Sequence, residues 1–358
     1  MRLFRRCLPS VAVLLAVAAT SLAPLQSGAV QPASGGGRPS GRVADSRYGP
    51  ILVPAATGEQ PGVFSAVVPA MPMPCTNCFL TGTDVDLVFE DGSSANLDNG
   101  LMLHHIVTFN TGRPDATCGP DTAVGSLGER FWAAGNERTG GRFPAGFGYH
   151  YGTERVAGVV EIMNHSPQPR VVYVATTVSY VPDTTADMQD PPLRPVRPVW
   201  LDEDNCGDSS YPVPAGPSNK VWRWTSTLTG RVILAGGHVH NGGIKIVFGN
   251  ETTGQHLCTS YAGYGNNPAF QGSVESMSTC IWDRLGTVRA GEVLAIDTYY
   301  DPPAAQPDVM GIVLAYVYET EDLTGGTDPP PGVQAPAPPW PPQGGVPSDH
   351  GHGGHNHG

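Results

Sequence analysis

The sequence predicts an all-β protein of two tandem antiparallel β-sandwich domains, jelly-roll-like, with disordered Pro/Gly-rich ends. Three observations carry this. The 358 residues include 46 glycines and 36 prolines, about twice ordinary usage, which supplies turns and denies long helices. Short runs rich in β-branched and aromatic residues recur between Gly/Asn/Asp/Pro clusters, and no segment keeps a helical period over three turns. The 40% hydrophobic content is enough to build a core, so the chain is not disordered throughout.

The elements follow in order. Met1-Arg2-Leu3-Phe4-Arg5-Arg6 precedes an apolar run from Val11 to about Leu25 and small residues up to Ala33. That is the charge, apolar core and exit of a secretory signal peptide, here residues 1–33. The run is too short to span a bilayer comfortably, so the expected product is secreted or extracytoplasmic, with no membrane span. Residues 34–61 read as a Gly/Ser/Pro-rich lead. The first sandwich is expected over 62–190, with strands at 85–90, 104–109, 156–163 and 171–180. Pro191-Pro192-Leu193-Arg194-Pro195-Val196-Arg197-Pro198 reads as an extended linker over 191–199. The second sandwich is expected over 200–320, with strands at 220–227, 231–236, 243–248, 292–300 and 309–318. Residues 321–358 read as a disordered tail that ends with His350, His352, His355 and His357. Such a tail either binds metal loosely or has no selected role.

The net charge is −12, and Lys220 and Lys245 are the only lysines. Phosphate contact needs clustered cations, so nucleic acid is excluded as a partner. Nothing marks a protein partner or an oligomeric state. Cys7 falls in the signal peptide. The six that remain are an even number in an oxidising compartment, which favours disulfides, with Cys258–Cys280 the first expected pair. Cys75-Thr76-Asn77-Cys78 has the spacing of a zinc half-site or a redox pair. The plainer reading bonds these cysteines to Cys118 or Cys206. Asn164-His165-Ser166 and Asn250-Glu251-Thr252 match the glycosylation pattern, the first disfavoured by Pro167.

The histidines are clustered. In His238-Val239-His240, residues i and i+2 of a strand share a face, so two imidazoles can meet one metal; the alternative is a solvent-facing pair. His104 and His105 are adjacent and should point to opposite faces. Both can ligate together only at a strand end, an irregular turn or a distorted backbone, and Asp98-Asn99-Gly100 upstream is a turn signal. Otherwise one is a core residue and one is exposed. Met310 lies in a strand of branched aliphatics, where a thioether is either core filling or a soft ligand suited to Cu(I).

Together these segments resemble the copper type II, ascorbate-dependent monooxygenases, the family of peptidylglycine α-hydroxylating monooxygenase and dopamine β-monooxygenase. The resemblance covers about residues 64–320. It rests on Leu103-His104-His105-Ile106-Val107-Thr108-Phe109, on Phe131-Trp132-Ala133-Ala134-Gly135 with Phe143-Pro144-Ala145-Gly146-Phe147-Gly148, and on Gly237-His238-Val239-His240. Gly291-Glu292-Val293-Leu294-Ala295, Asp308-Val309-Met310 and Tyr316-Val317-Tyr318-Glu319 complete it. The resemblance implies two β-sandwiches with one copper each, facing across an open solvent-filled cleft. It implies that His238, His240 and Met310 hold the oxygen-binding, catalytic copper, and that His104 and His105 hold an electron-storing copper. Ascorbate or another one-electron reductant would be the co-substrate.

Two departures from the family pattern stand out. Where the family has a third histidine, Val160-Glu161-Ile162-Met163-Asn164-His165 places Met163, with His165 two residues on and His150 as a further candidate. Where peptidylglycine enzymes carry an arginine that clamps the peptide carboxylate, this chain has Gly236. Glycine cannot supply a bidentate clamp, so peptide amidation is not expected, and the substrate stays unspecified. The expected function is C–H hydroxylation with O2; the alternative is a non-catalytic extracytoplasmic copper-binding protein for storage, sensing or delivery.

Overall fold

A computed structural model describes residues 41–186, 191–203 and 206–327. The expected signal peptide and the four tail histidines lie outside the described residues. The first half supplies β1 (Arg42–Val53), β2 (Gly62–Val68), β3 (Cys78–Val88), β4 (Leu101–Asn110), β5 (Glu129–Gly135), β6 (Gly141–Arg142), β7 (Phe147–Tyr151), β8 (Val156–Asn164) and β9 (Arg170–Pro182), then a one-turn helix at Asp183–Ala186. The second half supplies β10 (Arg194–Pro195), β11 (Arg197–Leu201), β12 (Ser210–Val213), β13 (Ser218–Thr225), β14 (Gly230–Val239), β15 (Gly243–Asn250), β16 (Gln255–Gly263), β17 (Ser276–Met277), β18 (Thr279–Val288), β19 (Val293–Tyr300) and β20 (Gln306–Glu319). Every strand expected from sequence falls on one of these.

Four sheets result. The first runs β1-β9-β3-β7-β10 with β6 on β3, the second β2-β8-β4-β5, the third β11-β20-β14-β18 with β12 on β20, and the fourth β13-β19-β15-β16-β17. Pairing is antiparallel except between β7 and β10. The fold is thus all-β, as the composition predicts. Alternation, reset by one-residue bulges in β3 and β4, puts Leu103, Ile106, Val160 and Ile162 of the second sheet against Leu80, Leu87, Val172 and Val174 of the first, all buried. Val232, Ala235, Val313 and Ala315 of the third sheet meet Ile246, Phe248, Leu294 and Ile296 of the fourth, with a bulge between Val232 and Leu234. Each such aliphatic side chain contributes about 1.5–3 kcal/mol through burial.

The outer faces of the second and third sheets meet one another, and the first core extends through Ile233, Leu234 and Tyr316 of the second half. The Tyr316 hydroxyl donates to the Phe131 carbonyl at 2.8 Å. At one end of this seam Arg130 is bonded to Asp115 at 2.8 Å, lies 4.0 Å from Asp202, and stacks on Trp200. Cys118 is bonded there to Cys206.

Three expectations are corrected. The Gly/Ser/Pro-rich lead contains β1, twelve residues paired along β9. Its alternation is mostly between exposed and half-buried positions, so it carries no core signal. The Pro-rich linker is strand on both sides of Val196: Arg194–Pro195 pairs with β7, and Arg197–Leu201 pairs with β20. Both lie at sheet edges, where proline's missing donor costs nothing. Cys75 is bonded to Cys78 rather than to Cys118 or Cys206. Cys258–Cys280 forms as expected. Both asparagines of the glycosylation pattern are fully buried. The Asn164 amide donates to the Pro54 carbonyl at 2.8 Å, and that of Asn250 to Glu292 at 2.7 Å, so both serve the fold.

Candidate metal centre

The outer face of the second sheet is laid out in rows that cross its strands. One row is Val63, Met163 and Met102. The next is Ser65, Glu161, His105 and Gly135, and the third is Val67, Val159, Val107 and Ala133. Rows two residues apart lie about 7 Å from each other.

His104 enters the middle row through a β-bulge. Leu103 stands opposite Ile162 and His105 opposite Glu161, so His104 is an extra residue in β4. A bulge puts two successive residues against one partner and cancels the usual alternation. Both imidazoles therefore leave the same face, 4.6 Å apart between ring centres.

The third sheet brings the other pair. His238 is on β14 opposite Ile312 of β20, and His240 follows just past the strand end. Their ring centres are 5.4 Å apart, and His240 lies 5.1 Å from His104. The two pairs thus converge in one cluster, where the resemblance implied two sites across an open cleft. Gly135 makes room for this: a methyl group there would come within 2.6 Å of both the His238 ring and the Glu137 carboxylate.

Three of the four rings have an oxygen behind them. His104 Nδ1 is 2.8 Å from Glu161, and His238 Nδ1 is 3.0 Å from Glu137. His240 Nδ1 lies 3.3 Å from the Asp308 carbonyl. That oxygen can only accept, so the proton is on Nδ1 and the lone pair is on Nε2. His238 Nε2, His240 Nε2 and His105 Nδ1 are buried with no hydrogen-bond partner. Bare ring nitrogens with carboxylates or a carbonyl behind the rings are what metal-ligating histidines require. The ligand atoms of His104, His105 and Glu161 also lie within 4.8 Å of one another.

The electrostatics agree for three of the four rings. Burial, with the neighbouring His104 and His238 rings, pushes His105 down to about 3. Burial with His238 and His104 does the same to His240. Both are neutral at physiological pH with lone pairs available. Burial also lowers His104, against the pull of Glu161. Burial lowers His238 too, but the Glu137 carboxylate outweighs it and raises the ring above its ordinary value.

Two cavities flank the cluster. The larger, about 500 Å³, has His105, His238, Met310 and Gly236 in its walls. The smaller, about 200 Å³, has His104, His238, His240, Met102 and Met163. Met310 therefore stands with histidines of both halves, and so does Met163. Tyr300 ties the second-half elements together: its hydroxyl accepts from the His240 backbone N–H and donates to the Met310 carbonyl.

Two sequence candidates are not brought here. His150 is on β7 of the first sheet, 3.0 Å from Asp183 and edge-on to Phe79. His165 lies past the end of β8, exposed, and meets Gly100 through its backbone. The face it was expected to share is taken by Glu161 and Met163. Sequence reasoning missed Glu161, Glu137 and Met102. Glu161 lies in the Val160–His165 segment but was given no role, and Glu137 carries no motif. Met102 was legible as the residue two before His104.

Residues 202–320 match the family described as Stress up-regulated Nod 19. A protein of a Phoma species described as a probable copper-dependent oxygenase is 26% identical over 291 residues, 75% of this chain and 71% of that one. A second protein so described, from Cochliobolus lunatus, is 26% identical over 266 residues, 67% of this chain and 81% of that one. Among solved structures, the major capsid protein P2 from bacteriophage PM2 gives a TM-score of 0.29 at 8% identity, over 79% of this chain and all of that one. That is too distant to carry an argument.

Proposed function

We propose that this protein is a secreted copper-dependent oxygenase that hydroxylates a C–H bond with O2 and an external reductant such as ascorbate. The observation that supports it best is the convergence of His104, His105, His238 and His240, with His238 and His240 each bare at Nε2 and braced at Nδ1. Imidazole suits copper, and thioether sulfur favours its reduced state. Met310 and His238 would hold copper on the side of the larger cavity, and Met163 and His104 on the side of the smaller one. The metal would supply one-electron chemistry with dioxygen. The residues' own work is to fix the imidazole tautomers through Glu161, Glu137 and the Asp308 carbonyl, and to border the reaction with apolar walls. Two distant relatives described as probable copper-dependent oxygenases point the same way. The three disulfides fit an oxidising compartment.

A second reading, a copper-binding protein without turnover, rests on Met102 and Met163. They are paired across β4 and β8 and line the small pocket with His104, a soft set suited to holding Cu(I). The test is copper content and ascorbate-driven oxygen uptake in a full-length variant whose His350, His352, His355 and His357 are alanine. Bound copper with oxygen uptake supports the oxygenase, and bound copper without uptake selects the second reading. Absence of copper overturns both.

A further inference from the structure

We propose that the larger cavity is the substrate site and that it takes an uncharged, largely apolar molecule about as long as the second sheet is wide. The identification as substrate rests on the oxygenase reading; the binding chemistry does not. One wall is the row Val67, Val159, Val107 and Ala133, a single register line across all four strands of the sheet. The facing wall includes Ile312 and Leu314 of β20. The row is next to the one that carries His105 and Glu161, so a ligand along it runs within about 7 Å of the metal-binding row. Four strands are about 14 Å across, the length of a medium alkyl chain or two to three rings. A volume of about 500 Å³ lies in the range of small-molecule pockets.

Away from the metal-binding residues, the walls offer no uncommitted charge to an ionic ligand. Of the charged side chains in the walls, Arg130 is bonded to Asp115 through two of its nitrogens at 2.8 and 3.0 Å. Glu137 is committed to His238. Along the Val67–Ala133 row, away from the metal-binding residues, a ligand carboxylate or sulfonate would meet only apolar side chains, which is costly away from water. Gly236 widens the cavity on β14 and offers no side-chain donor. The row ends at Val67, 57% exposed on the edge strand β2, which places the mouth there.

The test uses the full-length protein, metal-free and copper-loaded, and two probes of one skeleton: neutral phenylnaphthylamine and its sulfonated analogue, anilinonaphthalene sulfonate. Saturable fluorescence enhancement with the neutral probe is expected in both forms. In the metal-free protein the sulfonate should bind about tenfold or more weakly. Ala133→Trp fills the row and should weaken the neutral probe by about tenfold, with copper content as the control for the metal centre. If that variant does not fold, Val67→Asp at the exposed mouth serves instead and should weaken the neutral probe about threefold or more. Equal binding of the two probes by the metal-free protein, or neutral-probe binding unchanged in the folded variant, overturns the proposal. Neutral-probe binding by a protein that takes up no copper leaves the apolar site standing and removes only the oxygenase reading.

Discussion

The two histidine pairs reach the same face of the same seam by different backbone devices. At the end of β14 the pair is His-x-His, and the i, i+2 spacing puts both rings on one side. On β4 the pair is His-His, and a bulge must undo alternation before the rings can act together. The bracing differs as well. Glu137 behind His238 has a side chain 5% exposed, whereas Glu161 behind His104 is 22% exposed. One pair is set by sequence periodicity and held in a dry environment. The other is set by pairing register and held at a wetter edge. Chemical convergence does not require structural symmetry.

The sharpest way to break this comparison is to remove one ring from each pair. His238→Ala and His104→Ala should each abolish ascorbate-driven oxygen uptake. If the cluster acts as one centre, each variant should also lose copper beyond its own half's share, read by metal analysis. Loss of only half the copper in both variants would restore two independent sites.

Next in size are the braces. Glu137→Gln and Glu161→Gln keep the shape and remove the charge; loss of such a partner typically costs about 10–100-fold in metal affinity. The drier environment of Glu137 predicts the larger loss for Glu137→Gln, measured by competition with a copper chelator. Equal losses would show that exposure does not distinguish the two braces.

The far end of the seam offers a control away from the metal. Burial pushes the Asp115 carboxyl up, but its bonds to Arg130 outweigh this and hold it below its ordinary value. A carboxyl lowered by folding contributes stability above its unfolded pKa and loses it as pH falls through the folded value. Asp115→Asn should therefore lower the melting temperature at neutral pH, by about 3 kcal/mol of stability, and flatten the acid limb of the melting curve against pH. An unchanged acid limb would remove this latch from the account.

The smallest expected effect is Tyr300→Phe. Two hydrogen bonds are lost, at about 1 kcal/mol each, and the His240 and Met310 backbones are no longer tied. Copper affinity should fall a few-fold, with the absorption spectrum of Cu(II) shifting because ligand placement relaxes. A spectrum identical to the unsubstituted protein would make Tyr300 structural only.

What was legible in the sequence follows from this physics. Strands with a buried face, such as Val156–Asn164 and Gln306–Glu319, advertise themselves through β-branched residues. His-x-His reads directly as a shared face. A bulge is a mismatch in count between two strands, so it is invisible until the partner Glu161–Ile162 is known. The braces are equally silent, since Glu137 is 101 residues from His238 and only folding joins them. β1 escaped because an edge strand with few buried side chains needs no apolar pattern. Pro195 and Pro198 read as linker because a proline's tolerance at a sheet edge depends on having a neighbour on one side only.

The Cys118–Cys206 bond has a consequence for metal loading. It joins positions 88 residues apart, one in each half, near the same seam that the four histidines share. A cross-link over a loop of that size removes about 4 kcal/mol of chain freedom from the unfolded ensemble. Thus, even when the seam loosens, His104 and His105 stay tethered to His238 and His240, at an effective concentration that untethered halves could not reach in dilute solution. A metal ion held by one pair would then meet the other by a local search, a second step whose rate does not depend on protein concentration.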